Sequence, residues 1–165
     1  AIATALEDNP GFNRSLAGDG ESYIQKQYCN IGMAVDTPRG LVVPVIRNAS
    51  SMGIWEIAGE VAQLAEKARE GKLKPSDMQG GCFTLSSLGA IGGNGFTPIV
   101  NAPELGILGV SKAQMKPVWN GHDFEPRLML PLALSYDHRL INGGDAGRFM
   151  TQIVKLLSDI RHLAL

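Results

Sequence analysis

The sequence has little of what would mark several functional classes. It has only two cysteines in 165 residues, Cys29 and Cys82, far apart and in no CxxC pair. A disulfide framework and a cysteine-built zinc site are therefore not expected, and a reducing compartment fits. Neither sign of charge is in excess: 15 Lys+Arg stand against 16 Asp+Glu, for a net charge of −1. That balance gives no basic field to attract nucleic acid phosphates and no polybasic membrane patch. No apolar run approaches the ~20 residues of a membrane span. The opening AIATALEDNP lacks the charged start and long apolar stretch of a signal peptide. No repeat, low-complexity stretch or internal linker interrupts the chain.

What is present points to one globular domain. Hydrophobic residues make up 44% and charged residues 19%, which argues against disorder. A chain of this length buries ~68–70% of its unfolded surface. Glycine is abundant, 20 residues, and gathers at 80–95 and 143–147. Without a repeat period, that implies tight turns and close backbone approaches.

The pattern of apolar residues predicts alternating strands and helices. AIATALEDNPGF reads as the end of a helix broken before Pro10, with no capping residue ahead of it. We therefore expect the chain to be the C-terminal part of something longer. Residues 17–22 are a turn cluster. YCNIGMAVDTPRGLVVPVI (28–46) reads as two strands joined at Thr37–Gly40, with Pro44 confining the second to an edge or a bulge. Ile54, Ile57, Ala58, Val61, Leu64, Ala65 and Ala68 form one helical stripe over 54–70, closed by Gly71. GCFTLSS (81–87) reads as a strand whose Cys82, Thr84 and Ser86 share one face and Phe83 and Leu85 the other. It runs into the glycine-rich loop LGAIGGNG. ELGILGVSK and EPRLMLPLALSYDH (125–138) read as two more strands, the second long and buried on both faces. The last helix is expected at about 144–162, with Phe149, Ile153, Leu156, Leu157 and Ile160 inward. The fold class is α/β, a mixed sheet with helices packed on it.

Two residues could carry chemistry, each with a plainer alternative. His138 ends an apolar strand ahead of a glycine-rich turn and a helix. Strand ends of this kind gather sites in α/β sheets, but a satisfied structural histidine fits the same context. Ser86 precedes a glycine-rich loop and could be a nucleophile, an oxyanion donor or a turn cap. No GxSxG surrounds it, so a hydrolase elbow is unsupported, and locally a turn serine fits better. The loop matches neither GxxxxGK[ST] nor a well-placed GxGxxG. His122 lies in a polar turn and His162 in the last helical turn.

Three ordered segments carry a resemblance. SYDHRLINGGDAGRF (135–149) resembles the HxxxDG signature of the chloramphenicol acetyltransferase-like acyltransferases. More closely, it is similar to the catalytic domain of the dihydrolipoyl acyltransferases of the 2-oxo acid dehydrogenase complexes. GGCFTLSSLGAIGGNGFTPIVNAPELGILGVSK (80–112) resembles their active-site serine segment, and RGLVVPVIRNA (39–49) another stretch of the same domain. FTLSSLG followed by NAPELGILGVSK looks more like the pyruvate (acetyl) branch than the 2-oxoglutarate branch. The aspartate of the signature is Asn142 here.

The resemblance implies a chloramphenicol acetyltransferase-like two-layer sandwich. It implies that residues 1–165 are the C-terminal major part of the catalytic domain, with the domain's N-terminal portion and the lipoyl and subunit-binding domains absent. It implies acetyl transfer between dihydrolipoamide and coenzyme A. Coenzyme A is then a substrate, and the lipoyl group is carried on a separate domain. His138 becomes the general base, Ser86 the oxyanion donor, and Asn142 a polar orienting or donor residue. Asp137 and Arg139 are expected as a structural ion pair, and no metal is implied. It further implies homotrimers whose sites are shared between subunits, built into a large cubic core. The partners are the decarboxylase and dihydrolipoamide dehydrogenase components, in a bacterial cytoplasm. The apolar tail Leu163–Leu165 becomes a trimer–trimer contact. Two rivals remain: a free-standing acetyltransferase for a small hydroxyl compound, and a structural core fragment without turnover.

Overall fold

A computed structural model of the chain describes residues 1–89 and 91–163. Ala90 of the glycine-rich loop, and Ala164 and Leu165 of the apolar tail, lie outside the described residues.

The first helix, α1 (Ile2–Asp8), ends where expected: Pro10 opens the following turn and Asn9 Nδ2 donates to the Ala5 carbonyl at 2.8 Å. Next comes a small hairpin, β1 (Arg14–Leu16) with β2 (Tyr23–Gln25), antiparallel across the predicted turn cluster. Asp19 organises that turn by accepting from the backbone N–H of Glu21 and Ser22, each at 3.0 Å. The two arms of 28–46 do form a hairpin, but each arm is broken. β3 (Ile31–Met33) pairs with β6 (Val45–Ile46), and β4 (Val35–Thr37) pairs with β5 (Gly40–Val42). Pro44 lies at the break, and β6 is a sheet edge, as a strand proline requires.

Helix α2 (Ile54–Arg69) follows its stripe, burying Leu64 and Ala68. Its end is a Schellman motif: Lys72 N–H donates to Lys67 at 2.8 Å and Gly71 N–H to Ala68 at 3.1 Å. Gly71 takes the left-handed conformation, φ +68°, that this motif demands. Then come β7 (Phe83–Ser87), β8 (Gly106–Val110), β9 (Gln114–Trp119), β10 (Phe124–Met129), β11 (Leu132–Tyr136) and α3 (Gly143–Ser158).

The main sheet has the order β11-β8-β7-β3-β6. The inner strands β3, β7 and β8 are parallel, and both edges are antiparallel. The sheet is therefore mixed, as expected. One face carries Phe83, Leu85, Leu108 and Leu134 against the helices. Its centre is a ring cluster, with Phe12–Phe149 centroids 4.4 Å apart and Phe83–Phe149 5.3 Å apart. Gly106 faces that cluster and must lack a side chain, because a Cβ there would come within 2.6 Å of the Phe83 ring. The segment after β7 returns across the opposite face.

Two expectations are corrected. EPRLMLPLALSYDH is not one buried strand. It divides at Leu130–Pro131, and its first half, β10, is exposed at all six residues and pairs with β9, a strand the sequence reading missed. A proline offers no ladder donor, and the apolar and polar residues of 124–128 alternate, the mark of a one-sided strand. The final helix stops at Ser158 rather than 162. Asp159 accepts from the Arg161 backbone N–H at 3.0 Å, a local bond that competes with the helix. A short 3₁₀ turn over Ile160–Leu163 follows. Ile160 is 69% exposed and Leu157 47%, so the inward stripe is Phe149, Ile153 and Leu156.

Candidate active site

Ser86 stands near the C-terminal end of β7, half-buried, with Ser87 exposed beside it. The predicted alternation of this strand is observed. Ser86 shares its face with Thr84 and Cys82, turned away from the helices. Strand register puts Ser86 beside Gly109 of β8, and Gly109 beside Ala133 of β11. The Phe96 ring occupies the space a side chain at 109 would take: a Cβ there would come within 2.9 Å of it. Ser86 is thus flanked by bare backbone on one side and by the returning loop, a small semi-enclosed setting that the sequence reading did not anticipate.

Beneath Ser86 the same face holds a buried polar cluster. The Thr84 hydroxyl donates to Glu104 Oε2 at 2.5 Å, and Glu104 is 5% exposed. Burial pushes the Glu104 carboxyl above its ordinary range, partly opposed by the Thr84 hydrogen bond and by Lys26. The same burial lowers Lys26, whose Nζ donates to the Gly81 carbonyl at 3.1 Å. Cys82 and Cys29 are free and buried, and burial raises both thiols, Cys29 to about 11. These thiols stay protonated at neutral pH and are poor nucleophiles. Glu104 was not singled out from the sequence, and only the Asn-Ala-Pro-Glu turn ahead of an apolar strand hinted at it.

His138 lies in the turn after β11, exposed, its ring 5.5 Å from that of Tyr136. The turn is fixed from both sides. Asp137 N–H donates to the Leu105 carbonyl at 2.8 Å, and Arg139 donates to Asp137 through its backbone N–H, Nε and Nη2 at 2.6–3.2 Å. The expected Asp137–Arg139 ion pair is present, and it holds the Asp137 carboxyl below its ordinary range. A cleft of about 200 Å³ adjoins this turn, lined in part by Leu16, Glu104, Asp137 and Arg139.

Asn142 is the N-cap of α3: its Oδ1 accepts from Asp145 N–H at 2.9 Å. That bond orients the amide, directing the two Nδ2 donors away from the helix. The Asn-x-x-Asp spacing ahead of the helix was the signal for this cap.

One chain does not bring Ser86 and His138 together. Ser86 is level with Ala133, whereas β11 continues to Tyr136 before His138 turns off its far end. Three residues at ~3.4 Å and two strand spacings at ~4.8 Å put the two ends roughly 14 Å apart. Asn142 stands on the histidine side. Among the described residues no cluster of His, Cys, Asp and Glu is arranged to hold a metal ion, and no helix is long and apolar enough to cross a membrane.

A family model for the catalytic domain of the 2-oxoacid dehydrogenases acyltransferases matches residues 1–165. The chain belongs to that family. This family member is 57% identical over all its 165 residues to the dihydrolipoyllysine-residue acetyltransferase component of the pyruvate dehydrogenase complex from Haemophilus influenzae. It spans 29% of that protein's length, less than a third. It superposes on the Azotobacter vinelandii dihydrolipoamide acetyltransferase with a TM-score of 0.96 and 58% identity, over 99% of this chain and 68% of that one. The role of a serine, a histidine and an asparagine in that enzyme's catalytic mechanism has been investigated. It also matches the cubic core of the pyruvate dehydrogenase multienzyme complex, with a TM-score of 0.95 and 58% identity, over 99% of this chain and 69% of that one. A chloramphenicol acetyltransferase matches with a TM-score of 0.63 at 16% identity, over 94% of this chain and 73% of that one. The expected sandwich fold is therefore the one observed.

Proposed function

We propose that this chain is the acetyl-transferring part of a dihydrolipoyllysine-residue acetyltransferase, moving an acetyl group between dihydrolipoamide and coenzyme A. One observation carries the reading. In the Azotobacter enzyme the serine precedes the histidine by 52 positions and the asparagine follows it by four. Ser86, His138 and Asn142 have the same spacings, 138 − 86 = 52 and 142 − 138 = 4. Two substrates and no resident cofactor are required. Coenzyme A is one, and the other is the lipoyl thiol, carried on a separate domain. Residues 1–165 are then the greater part of the catalytic domain.

The chemistry follows from the groups present. A thiol with a pKa near ~8.5 is mostly protonated at neutral pH, and an imidazole near ~6.5 can take its proton. His138, solvent-facing on a braced turn, accepts the proton of the attacking thiol. The thiolate sulfur bonds to the thioester carbonyl carbon and the carbonyl electrons move onto oxygen. The Ser86 hydroxyl donates to that oxyanion. Collapse breaks the original carbon–sulfur bond, and the departing sulfur recovers the proton from the imidazolium. No acyl-serine forms. Asn142, its carbonyl committed to the helix cap, offers N–H donors beside His138.

Because Ser86 and His138 lie at opposite ends of one sheet, each working site takes its serine and its histidine from different copies. Association of copies is therefore built into the reaction. Homotrimers assembled into a cubic core, serving decarboxylase and dihydrolipoamide dehydrogenase components, fit this requirement.

The test is acetyl transfer from acetyl-CoA to free dihydrolipoamide by this chain beside its His138→Ala variant. Turnover should fall by about 10²–10⁴, the scale for a lost general base. No transfer by either chain, despite an assembled particle, contradicts the reading.

A further inference from the structure

Among the described residues, one hydrogen bond between two side chains is fully buried, that from the Thr84 hydroxyl to Glu104 Oε2. Bare backbone on two sides makes room for it. Gly32 of β3 stands beside Thr84 in the parallel register. A Cβ at Gly32 would come within 2.8 Å of Thr84 Oγ1 and 3.6 Å of Glu104 Oε1, and a Cβ at Gly81 would overlap Glu104 Oε1. Two glycines thus give up side-chain space to a carboxyl inside the molecule. Burying a carboxyl is unfavourable, and two apolar side chains of the same shape would leave stability about the same. The pair therefore points to a role besides stability.

Its position indicates which role. Thr84 lies two residues before Ser86 on β7, so the two side chains share a face. Glu104 lies in the turn that leads into β8, and that turn is anchored at two points. Glu104 N–H donates to the Asn101 carbonyl at 3.0 Å, and the Leu105 carbonyl accepts from Asp137 N–H at 2.8 Å. The Thr84–Glu104 bond therefore ties β7 to a fixed point at the start of β8. It secures the parallel register that sets Thr84 beside Ile107 and Ser86 beside Gly109. Parallel ladders are slightly less stable per residue than antiparallel ones, and a side-chain clamp beside one adds what the backbone lacks. A hydroxyl that stabilises an oxyanion must be held to within ~0.5 Å of its working position.

We propose that Glu104 is a positioning residue for acetyl transfer: it holds the Thr84 hydroxyl, and through Thr84 the strand that carries Ser86, so that the Ser86 hydroxyl meets the oxyanion. The role rests on the acetyl-transfer reading given above. Glu104 acts only through Thr84 and β7, and it meets no reacting atom.

The experiment is a double-mutant cycle on acetyl transfer from acetyl-CoA to dihydrolipoamide, with kcat, KM and melting temperature measured for each chain. Thr84→Val removes the donor and keeps the shape. Its kcat should fall about tenfold with KM unchanged, the scale of one lost hydrogen bond. Glu104→Met removes the acceptor and should cost the same, whereas Glu104→Gln keeps an acceptor and should recover most of the turnover. In a Ser86→Ala background, Thr84→Val should change kcat by less than about twofold, because the group it positions is already gone. A merely structural pair would cost the same in both backgrounds. That additive result overturns the proposal, as does a Glu104→Gln chain no better than Glu104→Met. Loss of the folded state in both Thr84→Val and Glu104→Met makes the pair a stability element and overturns it too. A wild-type chain without transfer activity removes the functional reading, and the positioning role with it. An active wild-type chain with an additive cycle removes the positioning role alone.

Discussion

Ser86 and Ser87 are adjacent hydroxyls with opposite orientations, and strand geometry separates their roles. Ser86 points to the face covered by Phe96 and flanked by Gly109, where an oxyanion can be held away from bulk water. Ser87 is exposed on the other face, and its Oγ accepts from the Gly89 backbone N–H at 3.4 Å. Ser86→Ala should lower turnover by about 10²–10³, as loss of an oxyanion donor does. Ser87→Ala should have little effect. The reverse ranking in steady-state assays would move the oxyanion role to Ser87. Glu104 makes a prediction of a different kind. Its carboxyl is raised by burial, so the folded chain keeps its proton to a higher pH than the unfolded chain does. That group's contribution to stability is full below the unfolded carboxylate pKa and is lost as pH rises through the folded value. Thr84, Asn101, Lys26 and Cys82 act on the same charge. Comparison with Glu104→Gln isolates it: wild-type melting temperature should fall relative to the variant as pH rises through that range. Parallel profiles would show that Glu104 does not titrate as its burial implies. Strand ends and glycine-rich turns made Ser86 and His138 candidates in the sequence, but locally each fitted a structural role as well, and only the family resemblance gave them chemical ones. Glu104 was not legible, because its partner Thr84 is 20 positions away and only the β7–β8 register joins them.

At the scale of elements, Asn142 does two things through one amide. Its oxygen caps α3, and the proposed function gives its N–H donors the second role. Asn142→Ala should destabilise the fold by about 1 kcal/mol, the usual value of a lost cap. Asn142→Asp keeps the cap oxygen and should hold most of the stability, yet it replaces N–H donors with an acceptor, so turnover should still fall. Equal turnover in Asn142→Asp and wild type would reduce Asn142 to a cap. Gly109 belongs to this scale as well, since a methyl group there meets the Phe96 ring. Gly109→Ala should displace the loop beside Ser86 and lower turnover while the parallel pairing of β7 and β8 persists. Periodicity revealed α2 and β7 because both are long enough to show a period. β1 and β2, three residues each, are too short for one. The division of 125–138 depended on which half faced the helices, and an apolar composition alone does not say that.

At the scale of the whole molecule, the order β11-β8-β7 decides how the chemistry is assembled. No local pattern states that β11 runs antiparallel to β7 two strands away, so the separation of Ser86 from His138 was invisible to periodicity and motif spacing, and only the family resemblance implied a shared site. Within the structure it follows directly from two registers. On the proposed function, the chain carries half of a site at each end of its sheet, and an apolar ribbon lies beside one of them. The central claim is that serine and histidine come from different copies. It is tested most directly by mixing Ser86→Ala chains with His138→Ala chains after dissociation and reassembling them. Each variant alone should be nearly inactive. The mixture should recover part of the wild-type acetyl transfer, because some interfaces then pair an intact Ser86 with an intact His138. A mixture no more active than its separate components, although the two chains have co-assembled, would contradict the account.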